Sequence, residues 1–252
     1  MNWKDTKAAI YRGSRGALKA VDEIDYVDLD SLVGLDRQKA ALLENTEKFI
    51  KNEGANHALL WGERGCGKSS LAKAVFTKFI PQGLRIIEIG KEDLKALVDI
   101  LDDIRSESFK FIIFCDDLSF EKGDDSYKYL KPLLEGSIEK TPSNVLMYAT
   151  SNRRHIVTEY MSDNQSVEVT TDEIHYKDAV EEHLSLSDRF GLWISFYQGN
   201  FSEYLRIVDS YFSEFSGDRE LLHEEAKRFC MLRGSRSGRV AKQFYLAFKD
   251  GF

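Results

Sequence analysis

The sequence predicts an α/β fold: a five-stranded parallel sheet sandwiched by helices, followed by a small all-helical unit. Three observations predict it. Five short apolar runs, at 57–61, 84–89, 109–115, 145–150 and 192–196, are nearly continuous instead of alternating, as in strands covered on both faces. Helix-like stretches lie between them, among them 69–80, 91–104 and 126–138, and strands alternating with helices imply right-handed crossovers and a parallel sheet. After Phe196 no strand-like run follows. Three helix-length segments do, at roughly 201–215, 219–232 and 238–249, the first with Tyr204, Leu205, Val208, Tyr211 and Phe212 at helical spacing. The expected division is therefore an N-terminal helical extension over 1–29, an α/β core over 30–197 and a helical unit over 198–252.

Composition narrows the class. A chain of 252 residues, 42% hydrophobic and 31% charged, can bury a sizeable core and is not a disordered polymer. With 35 basic and 42 acidic residues the net charge is −7, so bulk electrostatics do not draw it to nucleic acid or an anionic membrane. No apolar run approaches the roughly 20 residues of a spanning helix, and the N-terminus lacks the apolar stretch of a secretory signal. Cys66, Cys115 and Cys230 are too widely spaced for a paired metal site or a disulfide framework. These features predict a cytoplasmic chain with reduced thiols. The stretch 163–182, with seven acids and one lysine, reads as a solvated loop or insertion.

The first apolar run leads into Gly62-Glu63-Arg64-Gly65-Cys66-Gly67-Lys68-Ser69, a full match to G-x-x-x-x-G-K-[ST]. Glycines let backbone N–H groups curl round a phosphate, and the helix opening at Ser69 and Ser70 adds its dipole. Lys68 is placed to reach the outer phosphate oxygens and Ser69 to ligate Mg²⁺. Gly62 through Ser70 are the candidate nucleotide contacts. Cys66, beside Lys68 and a helix N-terminus, is expected to favour its thiolate. A second buried run ends in Asp116-Asp117, an acidic pair suited to holding Mg²⁺ through water (Asp116) and polarising an attacking water (Asp117).

Later residues separate the P-loop families. Tyr148-Ala-Thr-Ser-Asn152-Arg-Arg resembles the AAA+ sensor 1 strand, with Asn152 the best match. Leu184-Ser-Leu-Ser-Asp-Arg189-Phe-Gly resembles box VII, whose arginine reaches the γ-phosphate bound by a neighbouring subunit. Gly238-Arg239-Val-Ala-Lys-Gln lies where AAA+ lids carry the sensor 2 arginine, with Arg236 the competing residue. Asp30-Ser-Leu-Val33-Gly34-Leu is similar to box II, which lines the adenine pocket through Val33 and Gly34. Together these cover 30–244. The strings around Asn56–Gly65, Phe114–Phe120, Tyr148–His155 and Gly234–Arg239 resemble a bacterial family of uncharacterised AAA+ ATP-binding proteins, related to replication initiators and helicase loaders.

That resemblance implies a P-loop AAA+ ATPase using ATP and Mg²⁺, a homo-oligomer whose catalytic site is shared. One subunit supplies Lys68, Ser69, Asp116, Asp117, Asn152 and Arg239, and the neighbour supplies Arg189. The client is expected to be a protein or a single-stranded nucleic acid, not a membrane. Lys91, Lys95 and Arg153-Arg154-His155 are the candidate nucleic-acid contacts. No aromatic follows Gly90, unlike the pore loop of protein-threading machines, and no helix-turn-helix pattern follows the lid. Most relatives have Asp-Glu where Asp116-Asp117 stands, which suggests an alternative: a slowly hydrolysing ATP-dependent switch. A small-molecule phosphotransferase would leave Arg189 and the lid motif without a role.

Overall fold

A computed structural model of the chain describes residues 1–120, 124–136, 138–152 and 188–249. Its strands are β1 (Ala8–Arg12), β2 (Ala17–Ala20), β3 (Ala58–Gly62), β4 (Leu84–Glu88), β5 (Lys110–Cys115), β6 (Val145–Ser151) and β7 (Leu192–Phe196). They form one sheet in the order β2-β1-β4-β5-β6-β3-β7, parallel throughout except for the β1–β2 pair. β4, β5, β6 and β3 are the near-continuous apolar runs of the sequence, and their interior residues are buried on both sides.

One face of the sheet is covered by α1 (Asp36–Lys51) and α2 (Lys68–Phe79), which contribute Leu42, Phe49, Leu71, Val75 and Phe76 to its core. The other is covered by a 3-10 turn at Lys91–Ala96, α3 (Leu97–Ile104), a 3-10 turn at Asp125–Leu130 and α4 (Lys131–Leu134). The helical C-terminal region consists of α5 (Phe201–Tyr211), α6 (Arg219–Leu232) and α7 (Gly238–Phe248). Side-chain caps from Asn200, Asp218 and Ser237 start the three helices, and Tyr204, Val208, Leu222, Ala226, Ala241 and Phe244 form their common core.

The α/β class and the helical C-terminal region match expectation. The N-terminal segment does not. Residues 1–29 were expected to be a helical extension, but they carry the β1–β2 hairpin, which widens the sheet to seven strands. Its turn is set by Gly13 and Gly16, and Asp93 accepts the Gly13 N–H at 3.2 Å. β1 covers the flank of β4, which would otherwise be an open edge; satisfying that row of backbone groups outweighs local helix propensity. Trp3, ahead of β1, is buried edge-on against Phe111, with ring centroids 4.9 Å apart. The helices expected over 91–104 and 126–138 each begin as a 3-10 turn before becoming α-helical. The expected loop over 163–182 lies outside the described residues.

Topology positions the site. β5, β6 and β3 are sheet neighbours, and Cys115 is in register with Ala149 as Trp61 is with Ser151. The residues that follow these three strands therefore emerge side by side at one carboxyl edge of the sheet, the usual ligand edge of an open α/β fold. Beneath them a buried polar network ties α1 to the sheet. The Tyr148 hydroxyl lies 3.1 Å from Asn45 Nδ2, which donates to it, and 2.8 Å from Thr46 Oγ1. Asn45 also exchanges hydrogen bonds with the backbone of Asn56, just ahead of β3.

Candidate nucleotide-binding site

The loop 62–69 leaves β3 through Gly62, whose φ of 129° and contact with β7 admit only glycine: a Cβ there would fall 1.9 Å from the Phe196 carbonyl oxygen. Glu63 donates its N–H to that same carbonyl, at 3.0 Å. Glu63 and Arg64 are exposed at the crest, and Ser69 and Ser70 lie half-buried in the first turn of α2. Box II comes up against the loop from the side. Val33 and Gly34 lead into Leu35, whose Cδ1 lies 2.8 Å from the place a Cβ on Gly67 would occupy.

Lys68 is buried, and its ammonium donates to the carbonyls of Gly62 (2.6 Å) and Glu63 (2.8 Å) and to Asn152 Oδ1 (3.1 Å). Burial lowers its pKa from the ordinary value; Asp116 and Asp117 oppose that shift and Arg239 adds to it. Asn152 turns its other end to the acidic pair, Nδ2 donating to Asp117 Oδ1. Ser69 Oγ donates to Asp116 Oδ1 at 2.6 Å. The loop lysine, Asn152 and Asp117 thus form one hydrogen-bonded group, and the loop serine and Asp116 a second beside it.

Thr150 joins them, and the sequence reading missed it. Its hydroxyl donates to Asp116 Oδ1 and accepts the Asp117 N–H at 2.9 Å, so one side chain holds both members of the acidic pair. Asp117 has a left-handed backbone, φ 54°. Asp and Asn are tolerated there far better than longer side chains, because their short polar groups bond locally. This is a backbone reason for an aspartate at 117.

Arg239 comes from the helical region. Its N–H donates to the Gly65 carbonyl at 3.3 Å, and a Cβ on Gly65 would meet Ser237 Oγ at 2.8 Å and Arg239 Cβ at 3.0 Å. Only a glycine at 65 lets α7 seat its first turn on the loop. Arg236 is directed elsewhere: its guanidinium lies 5.2 Å from the Phe201 ring centre, and its N–H bonds Gln198 Oε1.

Arg189 is not in the cluster. It precedes the amino end of β7, whereas the loop leaves the carboxyl end of β3 alongside, with Ala58 paired to Leu192 and Gly62 to Phe196. Five strand residues, about 16 Å, separate the two levels. Arg189 Nε pairs with Glu135 Oε1 at 2.9 Å.

Two expectations need correction. Cys66 does not favour its thiolate: burial pushes the thiol above its ordinary pKa, Glu63 adds to this, and Lys68 only partly opposes it. Lys91 does not project as a loose cation, since it pairs with Asp124 at 2.6 Å and lies over the Phe120 ring. Burial would raise the Asp124 pKa, but Lys91 and the Ser126 hydrogen bonds outweigh it and hold the carboxyl at about 2. Lys95 is exposed. Arg153, Arg154 and His155, with the first residues of the box VII string, lie outside the described residues.

The donor set fits a magnesium nucleotide. Mg²⁺ bound chiefly through phosphate and water needs one or two protein oxygens, and Ser69 Oγ and Asp116 Oδ1 already adjoin. Among the described residues no group of three His, Cys, Asp or Glu side chains could hold a metal unaided.

Over residues 4–251 the chain matches the family described as "Protein of unknown function (DUF815)". The chain belongs to this family. No curated protein matches this DUF815 member. Among solved structures it is similar to the Thermotoga maritima RuvB Holliday junction branch migration motor, at 13% identity and a TM-score of 0.49, with 87% of this chain and 71% of that chain covered. A mutant of Thermotoga maritima RuvB is similar at 13% identity and a TM-score of 0.48, covering 88% and 72%. In the DUF815 chain a glycine loop, an acidic pair and an asparagine meet at one sheet edge.

Proposed function

We propose that the chain is an ATPase of AAA+ type that binds ATP with Mg²⁺ in the loop 62–69 and hydrolyses it at an interface between identical subunits. The observation that carries this reading is the convergence of Lys68, Ser69, Asp116, Asp117 and Asn152 in one cluster whose two hydrogen-bonded halves Thr150 joins, with Arg239 above it and Arg189 at the far edge of the sheet. Bound Mg·ATP supplies the phosphoryl electrophile. Val33 and Gly34 flank the base, the N–H groups of 63–69 cradle the phosphates, and Lys68 exchanges its carbonyl partners for phosphate oxygens. Ser69 and Asp116 hold the metal. Asn152 keeps Asp117 oriented toward the position of the attacking water, and Arg239 reports the nucleotide to the lid.

Arg189 cannot serve the loop of its own chain from the opposite edge of the sheet, which supports a role in trans. A subunit alone then lacks a group worth on the order of 10³–10⁵ in turnover in GTPases. Assembly on a protein or single-stranded nucleic-acid client would switch hydrolysis on. The alternative, a slowly hydrolysing switch, draws support from Asp117, whose short carboxylate is engaged by Asn152.

One experiment separates the readings: ATP turnover per subunit against protein concentration for wild type, Arg189→Ala, Lys68→Ala and an equimolar mixture of the two variants. Shared-site hydrolysis gives specific activity that rises with concentration, two inactive variants and an active mixture. Concentration-independent activity that Arg189→Ala leaves intact would refute the shared site.

A further inference from the structure

Glu135 belongs to none of the nucleotide motifs, yet it pairs with the one site residue that stands apart. Its carboxylate pairs with Arg189 Nε at 2.9 Å, both side chains being about one-third exposed or less (32% and 27%), so solvent screens the pair only in part. Resting on the shared-site reading above, we propose that Glu135 is a positioning residue for Arg189: it fixes the plane of the guanidinium that one subunit presents to the nucleotide of the next.

The surrounding structure is built for that task. Glu135 ends α4, its N–H bonded to the Lys131 carbonyl at 2.8 Å, and Gly136 then reverses the chain with a φ of 77°. The residues beyond are fastened to α3. Arg105 pairs with Glu139 at 3.0 Å and donates to the Lys140 carbonyl at 2.8 Å, and Asn144 Nδ2 donates to the Ile104 carbonyl at 2.9 Å. On the other side Phe190 is buried in the core against which α4 packs, which anchors the backbone of Arg189. A guanidinium is a rigid plane of five donors, so an ion pair made at Nε limits where that plane can lie. Loss of that pair loosens one constraint on the arginine side chain, and a misplacement of about 1 Å can cost about 10²-fold in rate.

Complementation tests this. Glu135→Ala keeps its own loop cluster intact, so it should lose about 10²-fold in turnover alone. It should regain about a quarter of wild-type activity when mixed equally with Lys68→Ala, which brings a correctly held Arg189 to one random interface in four. Mixing it with Arg189→Ala should restore nothing, because neither partner then offers a working arginine. Glu135→Gln, which keeps a side-chain oxygen beside Nε but loses the charge, should fall between Glu135→Ala and wild type. The inference is overturned if Glu135→Ala alone turns over like wild type while Arg189→Ala is inactive, if Arg189→Ala rescues it, or if neither mixture does. Failure of the control mixture, Arg189→Ala with Lys68→Ala, would instead remove the shared-site reading on which the inference stands.

Discussion

Thr150 gives one hydroxyl two jobs, donating to Asp116 Oδ1 and accepting from the Asp117 N–H. Valine has the same shape and can do neither. A hydrogen bond to a charged group is worth about 1.5–3 kcal/mol, so Thr150→Val is expected to raise the Mg²⁺ concentration for half-maximal ATP turnover about tenfold or more, with Thr150→Ser restoring it. A wild-type Mg²⁺ titration curve from the valine variant would reduce Thr150 to a spacer. The glycine loop and the acidic pair were legible because phosphate and metal chemistry leave few choices of residue. Thr150 was not, since a threonine at the end of a buried strand also reads as an ordinary β-former. Cys66 misled for a related reason: proximity to a lysine and a helix terminus was visible in the sequence, but the burial that opposes ionisation was not.

At the level of elements, β4 through β7 and the three C-terminal helices announced themselves by local pattern, with ends displaced by a residue or a few. The β1–β2 hairpin did not. β1 is five residues long, and its parallel partner β4 lies some 75 residues further along, so its stability comes from a pairing that no local window contains. Its anchor is Trp3, which packs on Phe111 while its carbonyl accepts the buried Arg85 Nε at 2.8 Å. Trp3→Ala is expected to cost about 3–5 kcal/mol of unfolding free energy, read from the urea midpoint at constant slope. A loss below about 1 kcal/mol would mean that the arm rides on the sheet without being part of its core.

For the whole molecule, acid stability should be governed in part by one histidine. His57 precedes β3 with its Nδ1 accepting the Met147 N–H at 2.9 Å; burial holds its pKa at about 4, partly offset by a backbone hydrogen bond to Leu133. Unfolded, it takes up a proton near pH 6.5 that the native ring refuses down to about pH 4. The contribution is therefore complete above pH 6.5 and lost as pH falls through this window, in total about 3 kcal/mol. Urea unfolding at pH 7.5, 5.5 and 4.5 measures it, and the slope special to this group should vanish in His57→Gln. A slope unchanged by that substitution would assign the effect to carboxylates. Scale also matters where the C-terminal helices meet the loop. Eleven residues make α7 an arm of about 16 Å, and its first turn is seated on the Gly65 carbonyl. A tilt of about 10° at that seat sweeps the far end through nearly 3 Å, so a sub-ångström rearrangement around a phosphate would arrive at Phe248 as a displacement large enough to break side-chain packing.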